Sequence, residues 1–458
     1  MHSVRAPTGG NFSSARAGVT PHPSDVRPRL LVRVALKAPM KSLSTATRLA
    51  ITVAALGYFV DVYDLILFNV VRWESLADLG LDKAAATTTG VWLLNLQLIG
   101  MLVGGVMWGV LGDLRGRLSV LFGSIILYSV ANLLNAGVGA TSGPLAFMGS
   151  FDAITSYGVL RFVAGVGLAG ELGAGVTLVA ELTSRERRGI AVTIIGAVGV
   201  VGAVVAGFVG ELAGWRMAYA IGGVMGLALL ALRVGVVESG MFAALSRESS
   251  GVTRGLIPII RSPRLAMRLL KIVLVGMPIW FTLAVLVGLA PKIAESMGVT
   301  PTPKPGTLVA LYYCGAIFGD LSSGFLSQWL KSRTRAMGVF MAGTAVGAAL
   351  VLTVGSQSAF WYGAATVVMG FFSGYWIVVI TTASELFGTN VRATVTTMTP
   401  NLIRVSAVPV TMAFTFLTRS TGDVWAAALT GACCFALAAV ALRTLPEPFG
   451  RDLDFTEE

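Results

Sequence analysis

The sequence has little charge. Only 12% of its 458 residues are Asp, Glu, Lys or Arg, against 55% hydrophobic. A water-soluble chain carries about 25% charged residues. No soluble fold of this length hides so much apolar surface, so lipid has to be part of the solvent. Histidine is nearly missing: His2 and His22 both precede the first long apolar run. A His-based triad, a His-ligated metal and a His proton relay are thereby excluded from the body of the chain. The three cysteines, Cys314, Cys433 and Cys434, lie inside apolar runs and offer neither a disulfide framework nor a CxxC metal pair. No G-x-x-x-x-G-K-[ST] segment occurs, so an ATP-driven pump would need a separate subunit. Nothing assembles a nucleophile with a base, and no enzyme activity, cofactor or metal is expected.

What the sequence does have is long apolar runs. Segments long enough to cross ~30 Å of hydrocarbon recur near 48–71, 87–108, 118–138, 157–180, 189–210, 216–236, 268–291, 307–329, 335–355, 359–383, 393–418 and 424–443. The fold expected is an all-α membrane protein of about twelve transmembrane helices. The longest polar interruption, 237–267, divides them into two six-helix, pseudo-symmetric bundles, 48–236 and 268–445. Residues 1–47 are expected to be a disordered cytoplasmic tail, within which Met40 is an alternative start, and 446–458 a short cytoplasmic one. The net charge of +11 would suggest nucleic acid in a soluble protein. Here the basic residues cluster between apolar runs, and the positive-inside rule accounts for them without a nucleic-acid partner. One side collects Arg115, Arg117, Arg185, Arg187, Arg188, the central segment, Lys331, Arg333, Arg335 and Arg392. The other holds only Arg72, Lys83, Arg216, Lys292, Lys304 and Arg419. Both termini are therefore expected in the cytoplasm, with the chain in the inner membrane.

The halves echo each other. Glu181 precedes Arg188 by seven residues, as Glu385 precedes Arg392. Between the second and third runs stands Gly109-Val-Leu-Gly-Asp113-Leu-Arg-Gly116-Arg117, with a degraded copy, Gly324-Phe-Leu-Ser-Gln328-Trp-Leu-Lys331-Ser-Arg333, at the equivalent place in the second half. The first resembles the G-x-x-x-D-x-x-G-R signature of the major facilitator superfamily. The stretch from Arg161 to Glu171, running on to Glu181 and Arg188, is similar to the fourth span of that superfamily's metabolite and phosphate proton symporters. Asp61-Val-Tyr-Asp64 resembles their acidic pair in the first span. The resemblance covers nearly all of 48–445. It implies two bundles rocking about a midplane site, with Gly109, Asp113, Gly116, Arg117, Glu181, Arg188, Glu385 and Arg392 forming a conformational latch. An acid at a helix N-terminus gains from the helix dipole, and losing that contact would bias the conformational equilibrium. Gly165-x-Gly-x-x-Gly170 fits a dinucleotide fingerprint by pattern, but it lies in an apolar run with no strand before it. Helix packing is the expected use of these glycines.

A charge at bilayer depth costs about 2.5–3.5 kcal/mol even on the gentlest scale, and such residues usually face a cavity. Asp61, Asp64, Glu171 and Asp320 are the acids so placed, and Arg161 and Arg404 the bases. Four acids against two bases leave an excess of negative charge that a bound proton would offset, as a proton carrier requires. Asp61 and Asp64 are spaced i, i+3 and are expected on one face. The arginines suit a carboxylate or phosphate substrate, or else each neutralises a neighbouring acid. Asn401, Asn95 and Gln97 are further polar candidates, and Trp280, Tyr375 and Trp376 stand ready to stack on substrate or simply to pack. The function expected is proton-coupled symport of a small metabolite, an organic anion, by a monomer. A uniporter or exporter on the same fold is the alternative. A non-transporting sensor is a third reading.

Overall fold

The computed structural model describes residues 45–115, 117–170, 185–238, 259, 261–450 and 455–457. Residues 1–44, including both histidines, lie outside that set, and Ala46–Glu458 make one unit. Helices account for nearly all of it: α1 (Thr45–Asp78), α2 (Lys83–Arg115), α3 (Arg117–Ala136), α4 (Ala153–Leu168), α5 (Arg185–Ala213) and α6 (Trp215–Glu238) in the first half. The second half holds α7 (Pro263–Phe281), the short α8 (Ala290–Ser296), α9 (Pro305–Trp329), α10 (Arg333–Leu352), α11 (Ala359–Ser373), α12 (Trp376–Leu386), α13 (Thr389–Val405), α14 (Ala407–Thr421) and α15 (Asp423–Arg443). Among the described residues, nine helical segments are long and apolar enough to cross a membrane. Shorter apolar helices at Phe122–Ala136, Ala153–Leu168 and Val198–Ala213 fall on the third, fourth and fifth runs of the sequence.

The helices are written in the sequence by apolar length and closed by local caps. Asp152 accepts from Thr155 N (2.8 Å) to start α4, and Ser332 accepts from Arg335 N to start α10. Each cap satisfies an amide that the helix leaves without a partner. Large apolar side chains such as Phe318, Phe325, Trp329, Phe360 and Phe416 point outward, while Asn69, Gln97, Asn132, Arg161, Asn401 and Arg404 are buried. A lipid solvent asks for that inversion.

The two halves repeat one pairing scheme. In the first, α2 packs on α4, α3 on α6 and α3 on α4; in the second, α9 packs on α11, α10 on α15 and α10 on α11. Glycine makes the tightest of these crossings. A Cβ on Gly100 or Gly165 would lie 2.2 Å from Phe162 O or 2.1 Å from Gln97 O across α2–α4; one on Gly370 would lie 2.1 Å from Tyr312 O across α9–α11. Gly165, Gly167 and Gly170 therefore serve packing. Between the halves, α5 meets α9, and α2 meets α13 and α14.

Among the described residues, three membrane helices are interrupted. α7 passes into one π-helical stretch, Thr282–Val287, before the turn at Gly288. The α11–α12 segment breaks at Gly374-Tyr375, and α13–α14 at Ser406. Broken helices at membrane depth are tolerated where the freed backbone groups face protein or a cavity.

Candidate functional site

A cavity open on one side lies between the halves. Tyr58, Val62 and Val200 come to it from the first half, and Trp280, Tyr313 and Trp376 from the second. Tyr312, Asp320, Ser373 and Arg404 complete its polar lining. The break before α12 leaves backbone amides aimed at Asp320, whose Oδ1 accepts from Ile377 N at 3.4 Å. A helix start of this kind favours a carboxylate.

Arg404 is the cavity's cation. Its Nη2 stands 3.9 Å from Asp61 Oδ2 on the opposite half, and its Nη1 donates to Asn401 Oδ1 at 3.3 Å. Its Nε has no hydrogen-bond partner among the described residues. Arg404 as a whole is 2% exposed. A long ion pair and an unused donor leave room for a second carboxylate, which an Arg fork binds through two parallel bonds.

The other buried arginine works elsewhere. Arg161, fully buried in the first half, donates to Gln97 Oε1 and lies over the Phe68 and Tyr219 rings at 4.7 and 5.7 Å. It is absent from the cavity lining. Asp64 is in the same interior, pressed against α6 where a Cβ on Gly222 would stand 2.4 Å from Oδ1. Neither oxygen of Asp64 has a hydrogen-bond partner by geometry among the described residues. The expected acidic pair is thus divided: Asp61 faces the second half, Asp64 the core of the first.

Of the remaining candidates, Trp280 lines the cavity, but Tyr375 points away and donates to Val275 O at 3.0 Å, so that its neighbour Trp376 takes the wall position. Asn95 accepts from Thr411 Oγ1 across the halves at 2.9 Å. Glu385 is held by Arg333 through two bonds of 2.8 and 3.0 Å rather than by Arg392, whose Nε donates to Phe387 O. Gly109, Asp113, Gly116, Arg117, Glu171, Glu181 and Arg188 lie outside the residues whose side chains are described. Tyr58, Tyr312 and Tyr313 went unflagged in the sequence. Tyr58 precedes Asp61 by three residues and Tyr313 precedes Asp320 by seven, both spacings that share a helix face.

On the face carrying the α1–α2 turn, the halves are bound together. Arg72 and Trp73 donate to Gly288 O, Lys83 pairs with Glu295 at 2.7 Å, and Glu211 accepts from Thr307 N at 2.7 Å. Arg72 is therefore a buried contact between halves, 1% exposed, rather than a loop charge. On the opposite face the C-terminal residues are seated on helix ends. Glu447 accepts from Arg333 N, Ser332 and Thr334 at the start of α10, and Glu457 pairs with Arg268 at 2.5 Å. Burial alone would raise the Glu447 carboxyl, but the hydrogen bonds from Ser332, Thr334, Arg333 N and Phe449 N outweigh it and hold it down to about 2.

Similarity to known proteins agrees with this architecture. The chain is 28% identical over 256 residues to the 3-(3-hydroxy-phenyl)propionate transporter of Escherichia coli, covering 54% of this chain and 58% of that protein. It is 29% identical over 191 residues to the niacin transporter NiaP of Acinetobacter baylyi, covering 41% and 40%. The chain spans about half the length of the curated relatives it matches. A solved D-xylose-proton symporter superposes with a TM-score of 0.66 at 17% identity, covering 88% of this chain and 99% of that one, which is a likeness of fold. The sequence model of the Major Facilitator Superfamily matches residues 54–408. With the paired halves, the interrupted helices and the cavity between them, that match places the chain in the major facilitator superfamily.

Proposed function

We propose that this protein is a secondary transporter of the cytoplasmic membrane that carries a small aromatic carboxylate together with a proton, acting as a monomer. The observation that carries the reading is Arg404, with an unused donor, in a cavity walled by Tyr58, Trp280, Tyr312, Tyr313 and Trp376. Such walls take an aromatic ring by stacking and edge contacts, and a guanidinium takes its carboxylate. Niacin and 3-(3-hydroxyphenyl)propionate, named for the two relatives, are aromatic carboxylates of this kind.

The halves, 48–236 and 268–445, would rock about this site with 237–267 between them and both termini cytoplasmic. The contacts among Arg72, Gly288, Lys83, Glu295, Glu211 and Thr307 then form an outer gate, closed here. Asp61 competes with substrate for Arg404. Asp64, whose oxygens make no hydrogen bond of good geometry among the described residues, carries the proton in the first half. Net uptake follows because the loaded and empty proteins cross between states while the half-loaded one does not.

The test is uptake of labelled benzoate and niacin into proteoliposomes with an imposed pH gradient. Accumulation that collapses with a protonophore, and falls about tenfold or more in Arg404→Lys, is the expected result. Gradient-independent equilibration would recast the protein as a uniporter, and near-normal uptake by Arg404→Lys would reject the substrate role of that residue.

A further inference from the structure

The interior of the first half holds a chain of hydroxyls that neither the cavity nor the gate uses. Ser75, in the last full turn of α1, lies beneath the Asp78–Arg216 ion pair at the outer surface. Its Oγ donates to Arg72 O at 3.1 Å and accepts from Tyr157 OH of α4 at 3.2 Å, and Tyr157 OH is 2.9 Å from Tyr219 OH of α6. All three residues are fully buried. Tyr219 stands next to Arg161 and one helical turn from Gly222, the residue against which Asp64 is pressed. The last step, from Tyr219 to Asp64, has polar groups on every side. Asp61 and Tyr63 flank Asp64 on α1, Arg161 faces it from α4, and Asn132 from α3. Asn132 stands against the Asp64 carboxyl, yet Asn132 Nδ2, Ser129 Oγ and both Asp64 oxygens are buried without a hydrogen bond of good geometry among the described residues. Buried polar atoms are almost always paired, with protein or with ordered water. A site with three or more such groups has what one buried water needs.

We propose that the first half carries its own proton lead, Ser75–Tyr157–Tyr219 and one bridging water, from the outer face to Asp64, separate from the cavity that takes the substrate. Water at the outer face supplies Ser75 once its hydroxyl turns from Arg72 O toward Tyr157, and each oxygen in the file accepts a proton from its outer neighbour and passes its own to the next. The Asp64 carboxylate takes the last one. Every hydroxyl ends with one proton, no electrons move, and the file turns over before the next transfer. Separate entry lets the proton reach Asp64 while the gate between the halves is closed. Arg161, lying over the Phe68 and Tyr219 rings, stands at the inner end of the file.

The inference rests on Asp64 as the proton carrier, and the test separates the two. In proteoliposomes, Tyr157→Phe with Tyr219→Phe removes two hydroxyls and keeps both rings. Uptake driven by a pH gradient is expected to fall about tenfold or more, with substrate counterflow at equal pH close to wild type. Ser75→Ala, which removes the outermost hydroxyl with little change in packing, is expected to do the same more weakly. Full gradient-driven uptake in the double variant overturns the lead. An equal fall in counterflow also overturns it, by making the tyrosines structural. Asp64→Asn is expected to lose driven uptake and keep counterflow. If it keeps both, the carrier assignment fails and the lead with it, whereas loss in Asp64→Asn alone condemns only the hydroxyl file.

Discussion

Arg404 and Asp61 show how much one turn of helix decides. Removing the carboxylate that stands 3.9 Å from Arg404 frees the guanidinium for substrate. Asp61→Asn is expected to bind an aromatic carboxylate about fivefold tighter, the equivalent of ~1 kcal/mol, in equilibrium binding followed by tryptophan fluorescence. Unchanged or weaker binding would mean that Asp61 organises the site rather than competing for it. Charge inside an apolar run is what made Asp61, Asp64, Asp320, Arg161 and Arg404 legible in the sequence. Which way each one points was not legible. Three residues advance a helix by 300°, so Asp61 and Asp64 are about 60° apart, and the boundary between halves runs through that angle. Tyr375 and Trp376 differ in the same way: adjacent residues diverge by about 100°, and the break at Gly374 chooses the tryptophan.

Helices were readable from apolar length alone, and the glycine positions at α2–α4 from their density. The interruptions were not. Nothing in Thr282–Val287 marks a π turn, because a run of apolar residues is equally content in either helix and the neighbour decides. The seat of the C-terminal residues was equally hidden, since Glu447 finds its partners more than a hundred residues away. That contact gives a pH signature. A carboxyl held at about 2, below its ordinary value near 4.5, contributes stability that is fully present above the ordinary value and fades as pH falls toward 2. Glu447→Gln is expected to lower Tm at pH 7 and to flatten the fall of Tm between about pH 5 and pH 3, as read by thermal unfolding in detergent. A variant with wild-type Tm at both ends would show that the tail does not brace α10.

At the scale of the whole molecule, the echo of Glu181–Arg188 in Glu385–Arg392 suggested two related halves, and among the described residues the helix pairings of one half recur in the other. What joins those halves was not announced. Arg72 read as a loop charge because its neighbours in sequence do not include Gly288, 216 residues on. The outer gate can be tested directly. In a background lacking Cys314, Cys433 and Cys434, Lys83→Cys with Glu295→Cys places a thiol at the base of each of two side chains whose tips now meet at 2.7 Å, a span suited to a short bifunctional thiol reagent. Crosslinking with a reducible bis-methanethiosulfonate is expected to stop uptake and reduction to restore it. Transport that continues through a formed crosslink would show that this face does not open. Beneath that gate, α5 and α9 touch at Gly207 and Gly306, where a Cβ on either would come within 2.6 or 2.4 Å of the other's carbonyl oxygen. The side chain that crosses beside them is Glu211, whose carboxylate accepts from Thr307 N and Oγ1. Once those bonds let go, the two rods bear on each other through bare backbone and one can roll over the other, so the contact has the properties of a fulcrum. A single methyl group added at either glycine would act as a wedge beneath the lever.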